Sequence, residues 1–122
     1  MIDHVVLRVK SLAQSRRFYA EALAPLGYRV VKEFPGGAVF GIGQKIEFCV
    51  MEQEPLSSGA HVAFASPDRA KVGAFHVAAL KAGGRDNGTP GLRTRYHPHY
   101  YGAFVYDPDG NNVEAVCHDA NE

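Results

Sequence analysis

Residues 4–27, HVVLRVKSLAQSRRFYAEALAPLG, and residues 61–84, HVAFASPDRAKVGAFHVAALKAGG, align without a gap. At this constant shift of 57 residues His4 falls on His61, Val5 on Val62, Ala13 on Ala70, Phe18 on Phe75, Ala22 on Ala79, Leu23 on Leu80 and Gly27 on Gly84. The matches sit at equivalent places in one strand-then-helix pattern, which marks a duplicated unit.

In the first unit, residues 2–9 alternate and read as a strand with one apolar face. A helix follows, with Ser11 as cap, Gln14 three residues on, and Phe18, Ala22, Leu23 and Leu26 as its buried stripe; Pro25 and Gly27 end it. Strands over 28–34, 38–42 and 45–50 complete the unit, with Pro35-Gly36-Gly37 as a turn. The second unit repeats the order: a strand near 60–65, a helix opened by Ser66-Pro67-Asp68 with Val72, Phe75, Ala79 and Leu80 buried, and a close at Gly83-Gly84. A loop rich in Gly, Pro and Arg then leads to strands near 103–106 and 112–117, separated by Asp107-Pro108-Asp109-Gly110. The reading is an α+β chain of two tandem βαβββ units, about 1–52 and 58–118, within a single domain 1–122. Asp119 to Glu122 is a loose tail.

Composition bounds the partners. The chain has 122 residues, 46% of them apolar, enough for one core. Its 13 basic residues balance 13 acidic ones, so no charge footprint favours nucleic acid or an anionic membrane. Nothing approaches the run of roughly 18 apolar residues that a membrane span needs, and the alternating start MIDHVVLRVKSL is unlike a signal peptide. Two cysteines, Cys49 and Cys117, make no secreted disulfide framework. The expectation is a cytoplasmic protein whose partners are a small molecule and a second copy of itself.

Strand alternation decides where polar side chains point. If the helix-covered face carries Val5, Leu7 and Val9, then His4 and Arg8 lie opposite. If it carries Ile46, Phe48 and Val50, then Lys45, Glu47 and Cys49 lie opposite. Val62 and Phe64 leave His61 opposite, and Val113, Ala115 and Cys117 leave Glu114 opposite. Four residues of metal-ligand type thus share the uncovered face as two repeat-related pairs, His4 with His61 and Glu47 with Glu114. The second spacing is ten residues longer, which the insert at 93–100 accommodates. Two imidazoles and two carboxylates suit zinc, nickel, cobalt, manganese or ferrous iron. His76 reads as structural, His118 as a surface residue and Cys117 as an inert core residue.

The segments His4–Val9, Phe18-Tyr19, Lys45–Phe48, Gly59–Phe64 and Ala103–Glu114 together resemble the vicinal oxygen chelate superfamily, which includes glyoxalase I, extradiol dioxygenases, fosfomycin-resistance enzymes and bleomycin-binding proteins. The Asp-Pro-Asp-Gly turn followed by a strand glutamate is its most specific mark here. The resemblance covers almost the whole chain. It implies a cup-shaped mixed sheet with helices on the outer face, one divalent metal held by His4, Glu47, His61 and Glu114, and a homodimer that in some members completes each metal site from both chains. Arg8 stands where bacterial glyoxalase I has an arginine contacting glutathione's carboxylate; the segment 96–101, Tyr-His-Pro-His-Tyr-Tyr, is unlike that enzyme.

Three functions stay open on this reading. The first is a lyase or isomerase acting through a metal-chelated enediolate, with Glu114 as general base. The second is an extradiol-type Fe(II) dioxygenase needing only His4, His61 and Glu114. The third is a non-catalytic protein that sequesters an aromatic or cationic compound among Tyr96, Tyr100 and Tyr101. Arg8 is the candidate for a substrate carboxylate, or else pairs across the sheet. His97, His99 and Tyr101 are candidates for proton transfer or substrate hydrogen bonding, on a loop of the kind that lines sites.

Overall fold

A computed structural model describes all of residues 1–122. Unit one runs β1 (Val5–Val9), α1 (Leu12–Leu23) with a 3-10 turn (Ala24–Leu26), β2 (Arg29–Phe34), β3 (Gly37–Ile42) and β4 (Lys45–Glu52). Unit two runs β5 (His61–Ala65), α2 (Arg69–Lys81), β6 (Arg85–Leu92), β7 (Tyr101–Tyr106) and β8 (Asn112–Cys117). Each unit makes a four-stranded mixed sheet of the same order, β1-β4-β3-β2 and β5-β8-β7-β6, in which the first and last strands of the unit lie parallel.

Local chemistry sets the helix boundaries as expected. Ser11 caps α1 by accepting from the Gln14 N–H at 3.2 Å, and Asp68 caps α2 by accepting from the Lys71 N–H at 2.8 Å. Gly27 and Gly83 take left-handed conformations where the helical turns end. On α2 the buried stripe is Val72, Phe75, His76 and Ala79, while Leu80 is partly exposed. His76 takes the place expected for Leu80 because its imidazole has a partner, Asp86 on β6 at 2.9 Å. That pairing and the Gly88 N–H hold the Asp86 carboxyl below the ordinary range.

The two helices touch, and one core spans both units. Within it Tyr19, Phe48, Phe64 and Tyr28 pack in series with centroids 4.8, 5.3 and 5.3 Å apart, the first pair tilted and the other two edge to face. The Asp-Pro-Asp-Gly turn is stapled to this core. Asp107 accepts from Tyr19 Oη at 2.5 Å and from Asn111 Nδ2 at 3.0 Å, and Asn111 in turn reaches the Ala60 N–H and the Ser57 carbonyl, both at 3.0 Å. The turn therefore fixes where β5 begins relative to β8.

Two expectations fail. The segment 85–92, RDNGTPGL, read as a loop, is β6; it pairs with β7 through two register shifts, at Asp86/Gly88 and Gly88/Gly91. It lacks a strand-like composition because it is an edge strand, where glycine bulges and a proline without a donor are tolerated. The alternation of β4 also breaks. Phe40 pairs with Phe48 but Gly41 pairs with Ile46, so Glu47 is the extra residue of a β-bulge. Ile46, which strict alternation would cover, is 40% exposed. Gly41 permits this: a Cβ there would stand 1.8 Å from the Lys45 carbonyl oxygen.

Candidate functional site

Glu114 is the centre of a polar cluster that joins β5, β8 and the segment before β7. β8 is an inner strand, so its alternating residues are covered on both sides, and Glu114 is 1% exposed. One carboxylate oxygen meets His61 Nε2 at 2.7 Å, and the other accepts from the Tyr100 hydroxyl. Gly102 makes room for this contact, since a Cβ there would lie 3.3 Å from both Glu114 Oε2 and the Tyr100 ring. A carboxylate buried this fully requires strong hydrogen bonds or a cation beside it.

The segment 93–100 closes over the sheet at this point. Its ends are joined by Arg93 N–H to the Tyr100 carbonyl at 2.7 Å, and inner turns by Tyr96 N–H to Arg93 and Tyr100 N–H to His97. His97 Nδ1 accepts from the His99 N–H at 3.1 Å, which leaves Nε2 as the donor to His118 Nδ1 at 2.8 Å. The His97 and His118 rings stack with centroids 5.0 Å apart, and both lie edge-on to Tyr100. His118 is thus exposed but bound into the wall of the cluster.

The other candidates lie apart. His4 precedes β1, half-exposed, with Nδ1 on Asp3 at 2.8 Å. That bond leaves Nε2 as the outward nitrogen, the arrangement by which a carboxylate orients a metal-ligating histidine. Glu47, displaced by its bulge, accepts from Tyr28 Oη at 2.8 Å and lies 3.7 Å from Lys45 Nζ, in a cavity of about 340 Å³ that does not include His61 or Glu114. No three His, Cys, Asp or Glu side chains of the chain converge as a metal cage. The structure brings His61 to Glu114, and it does not bring His4 or Glu47 to them. The donor types suit a divalent ion, and His61 with Glu114 would hold one side of it.

Arg8 is exposed and pairs with no carboxylate; its backbone bonds both ways with Ser57 at 2.9 Å. Tyr101 faces away from Glu114. It packs on the core with Arg69 of α2 over its ring at 4.9 Å, because it shares the parity of Ala103 and Val105, whose side chains are core. Tyr100 is the tyrosine that reaches the carboxylate, a role the sequence reading missed by one residue. The signal was available: Phe104 pairs with Glu114 and Gly102 with Val116, so the even-numbered residues of this segment share Glu114's face.

Two phenols here are held protonated. Burial, then the hydrogen bond to Glu114, pushes the Tyr100 hydroxyl well above its ordinary value, and burial followed by Glu47 does the same for Tyr28. A raised acid pKa in the native state contributes stability that is complete below the unfolded value near 10 and is lost as pH rises through the folded value. Ultraviolet titration at about 295 nm, the tyrosinate band, is therefore expected to show a late component that Tyr100→Phe and Tyr28→Phe each diminish. An unchanged late component in both variants would contradict the two hydrogen bonds.

The family model described as Glyoxalase/Bleomycin resistance protein/Dioxygenase superfamily matches residues 1–115. A glyoxalase/bleomycin resistance protein from Albidiferax ferrireducens T118 superposes with a TM-score of 0.85 at 26% identity, covering 98% of this chain and 99% of that one. The fold also matches lactoylglutathione lyase from Agrobacterium tumefaciens, with TM-score 0.69, 19% identity and 96% and 92% of the two chains covered. Glyoxalase I from Zea mays gives 0.71 and 22%, with 98% of this chain lying on 44% of that one. No curated protein matches the chain significantly. No helix is long and apolar enough to cross a membrane. With the repeat, the twin sheets and the matched family model in agreement, the chain belongs to the glyoxalase/bleomycin resistance protein/dioxygenase superfamily.

Proposed function

We propose that this protein is a divalent-metal-dependent lyase or isomerase of glyoxalase type acting on a small molecule. In this reading two copies form a homodimer, and His61 and Glu114 of one chain share an ion with His4 and Glu47 of the other. The observation that carries it is Glu114: a fully buried carboxylate, oriented by a tyrosine on one oxygen and in contact with an imidazole on the other. A bound ion supplies Lewis-acid polarisation of neighbouring substrate oxygens. The chain supplies the proton transfer. Glu114 accepts a proton from a substrate carbon and returns it to the adjacent one, while Tyr100 steadies its other oxygen and the segment 93–100 excludes water. Arg8, free of any ion pair, and His97 are the candidates for holding the rest of the substrate.

The bulge favours a second reading. Because Glu47 is engaged by Tyr28, the set His4, His61 and Glu114 would remain, a two-histidine, one-carboxylate face of the kind ferrous dioxygenases use. Metal analysis by mass spectrometry, after reconstitution with single divalent ions and beside sedimentation for oligomeric state, separates the two. The lyase reading expects about one ion per chain, lost in His4→Ala and in Glu47→Ala. Retention of iron in Glu47→Ala turns the assignment to the dioxygenase. No stoichiometric ion in the wild type sinks both and leaves a sequestering protein.

A further inference from the structure

The segment between β6 and β7 holds two cations that the proton-transfer chemistry does not use. Arg93 is half-buried, with Cζ 5.3 Å from the Phe104 ring centre; Nη1 donates to the Gly91 carbonyl at 2.9 Å and Nη2 to the Thr89 carbonyl at 2.7 Å. Its seat is built by glycines. A Cβ on Gly88 would lie 3.1 Å from Nη2 and one on Gly91 3.1 Å from Nη1, so the irregular composition of β6 makes room for this guanidinium. Arg95 lies on the Tyr96 ring at 4.9 Å and donates to its hydroxyl at 3.1 Å.

Neither arginine pairs with a carboxylate. Both line a cleft of about 420 Å³ together with His61, Asn87, Tyr96 and Asn112, and no acidic residue lines it. Asn112, whose Oδ1 is buried without a hydrogen-bond partner, also borders it. A guanidinium held by neutral carbonyls keeps its full charge and most of its five donors, in the planar array that matches an oxyanion.

We propose that this cleft is an anion subsite: the protein's ligand is a small molecule carrying a carboxylate or phosphoryl group, which Arg93 receives by paired hydrogen bonds with Arg95 as the second cation, next to His61. That this ligand is the substrate rests on the function proposed above; the anion recognition rests on the arginines and their seat. His61 forms the wall shared by the cleft and the Glu114 cluster, so an anion seated here would place its neighbouring carbons at that cluster.

Calorimetric titration of the full-length protein with malonate and with inorganic phosphate tests this, in chelator and again after metal loading. The chelated wild type is expected to bind saturably, malonamide is expected not to bind, and Arg93→Gln and Arg95→Gln each to weaken malonate by about tenfold or more, the weight of a charge-assisted hydrogen bond. Arg95 donates its side-chain hydrogen bond to the neighbouring Tyr96 and to no residue of β6, so its variant reports binding even where loss of Arg93 loosens β6. Absence of saturable binding by the wild type, malonamide binding as well as malonate, or wild-type affinity in both variants overturns the subsite. Ion content in the same samples keeps the two ideas separate: malonate bound without any stoichiometric ion refutes the lyase reading and supports the subsite, and an ion bound without malonate does the reverse.

Discussion

On the proposed lyase function, Glu114→Gln is expected to leave the protein folded while removing divalent-ion binding and lowering turnover by about 10²–10⁴-fold, the usual weight of a positioned general base. The amide keeps the shape and can still accept from Tyr100, so the core around β8 has no new cavity. What it loses is the charge, which an ion and a proton-transfer step both require. The sign of the stability change is the informative part. In chelator the variant should melt no lower than the wild type, because a neutral group in place of a 1%-exposed carboxylate removes a desolvation cost. Glu114→Ala, by contrast, should lose about 1–3 kcal/mol, since it leaves the part-buried Tyr100 hydroxyl unpaired and a void beneath it. A Glu114→Gln protein that is markedly less stable than the wild type in chelator, yet binds ions normally, would make Glu114 a structural residue.

Gly41→Ala should be among the most destabilising single-methyl additions available. The new Cβ would meet the Lys45 carbonyl oxygen at 1.8 Å and its carbon at 2.8 Å, and backbone on the facing strand cannot turn aside as a side chain would. The β3–β4 hairpin must separate or lose its bulge, at a cost of about 3 kcal/mol, or roughly 10 °C in melting temperature. Because Glu47 is the bulged residue, its bond to Tyr28 should go too, and the late phenol titration should shrink accordingly. Gly73→Ala is the control: nothing lies within 4 Å of a Cβ there, and in mid-helix the change should stabilise by about 0.5–1 kcal/mol. Equal melting of Gly41→Ala and wild type would show that the bulge is not built as described.

Much of this architecture was legible in the residues because its causes are local. Ser11 and Asp68 announce helix starts through their own side chains, Gly27 and Gly83 announce ends through their backbone freedom, and the alternation of β1, β5 and most of β8 places the core. That His61 and Glu114 share a face fell out of the same alternation; that they meet follows from the parallel pairing of β5 with β8. β6 was not legible, because its glycines and proline serve an edge position and the seat of Arg93, neither of which is visible in the segment itself. Tyr100 and not Tyr101 meets Glu114 because the alternation of β7, carried back from Phe104, puts the even-numbered residues on that face.

The sequence by itself determined the duplicated strand–helix–strand units, their caps and turns, and the types of side chain available for chemistry, because each follows from hydrophobic period and from backbone preferences within a few residues. Tertiary structure decided which of those side chains meet. A bulge depends on the facing strand's Gly41 and turns Glu47 to Tyr28, and the packing of one unit on the other sets His4 apart from His61 and Glu114. Both are contacts between residues distant in the chain, and a period of two along one strand carries no information about them.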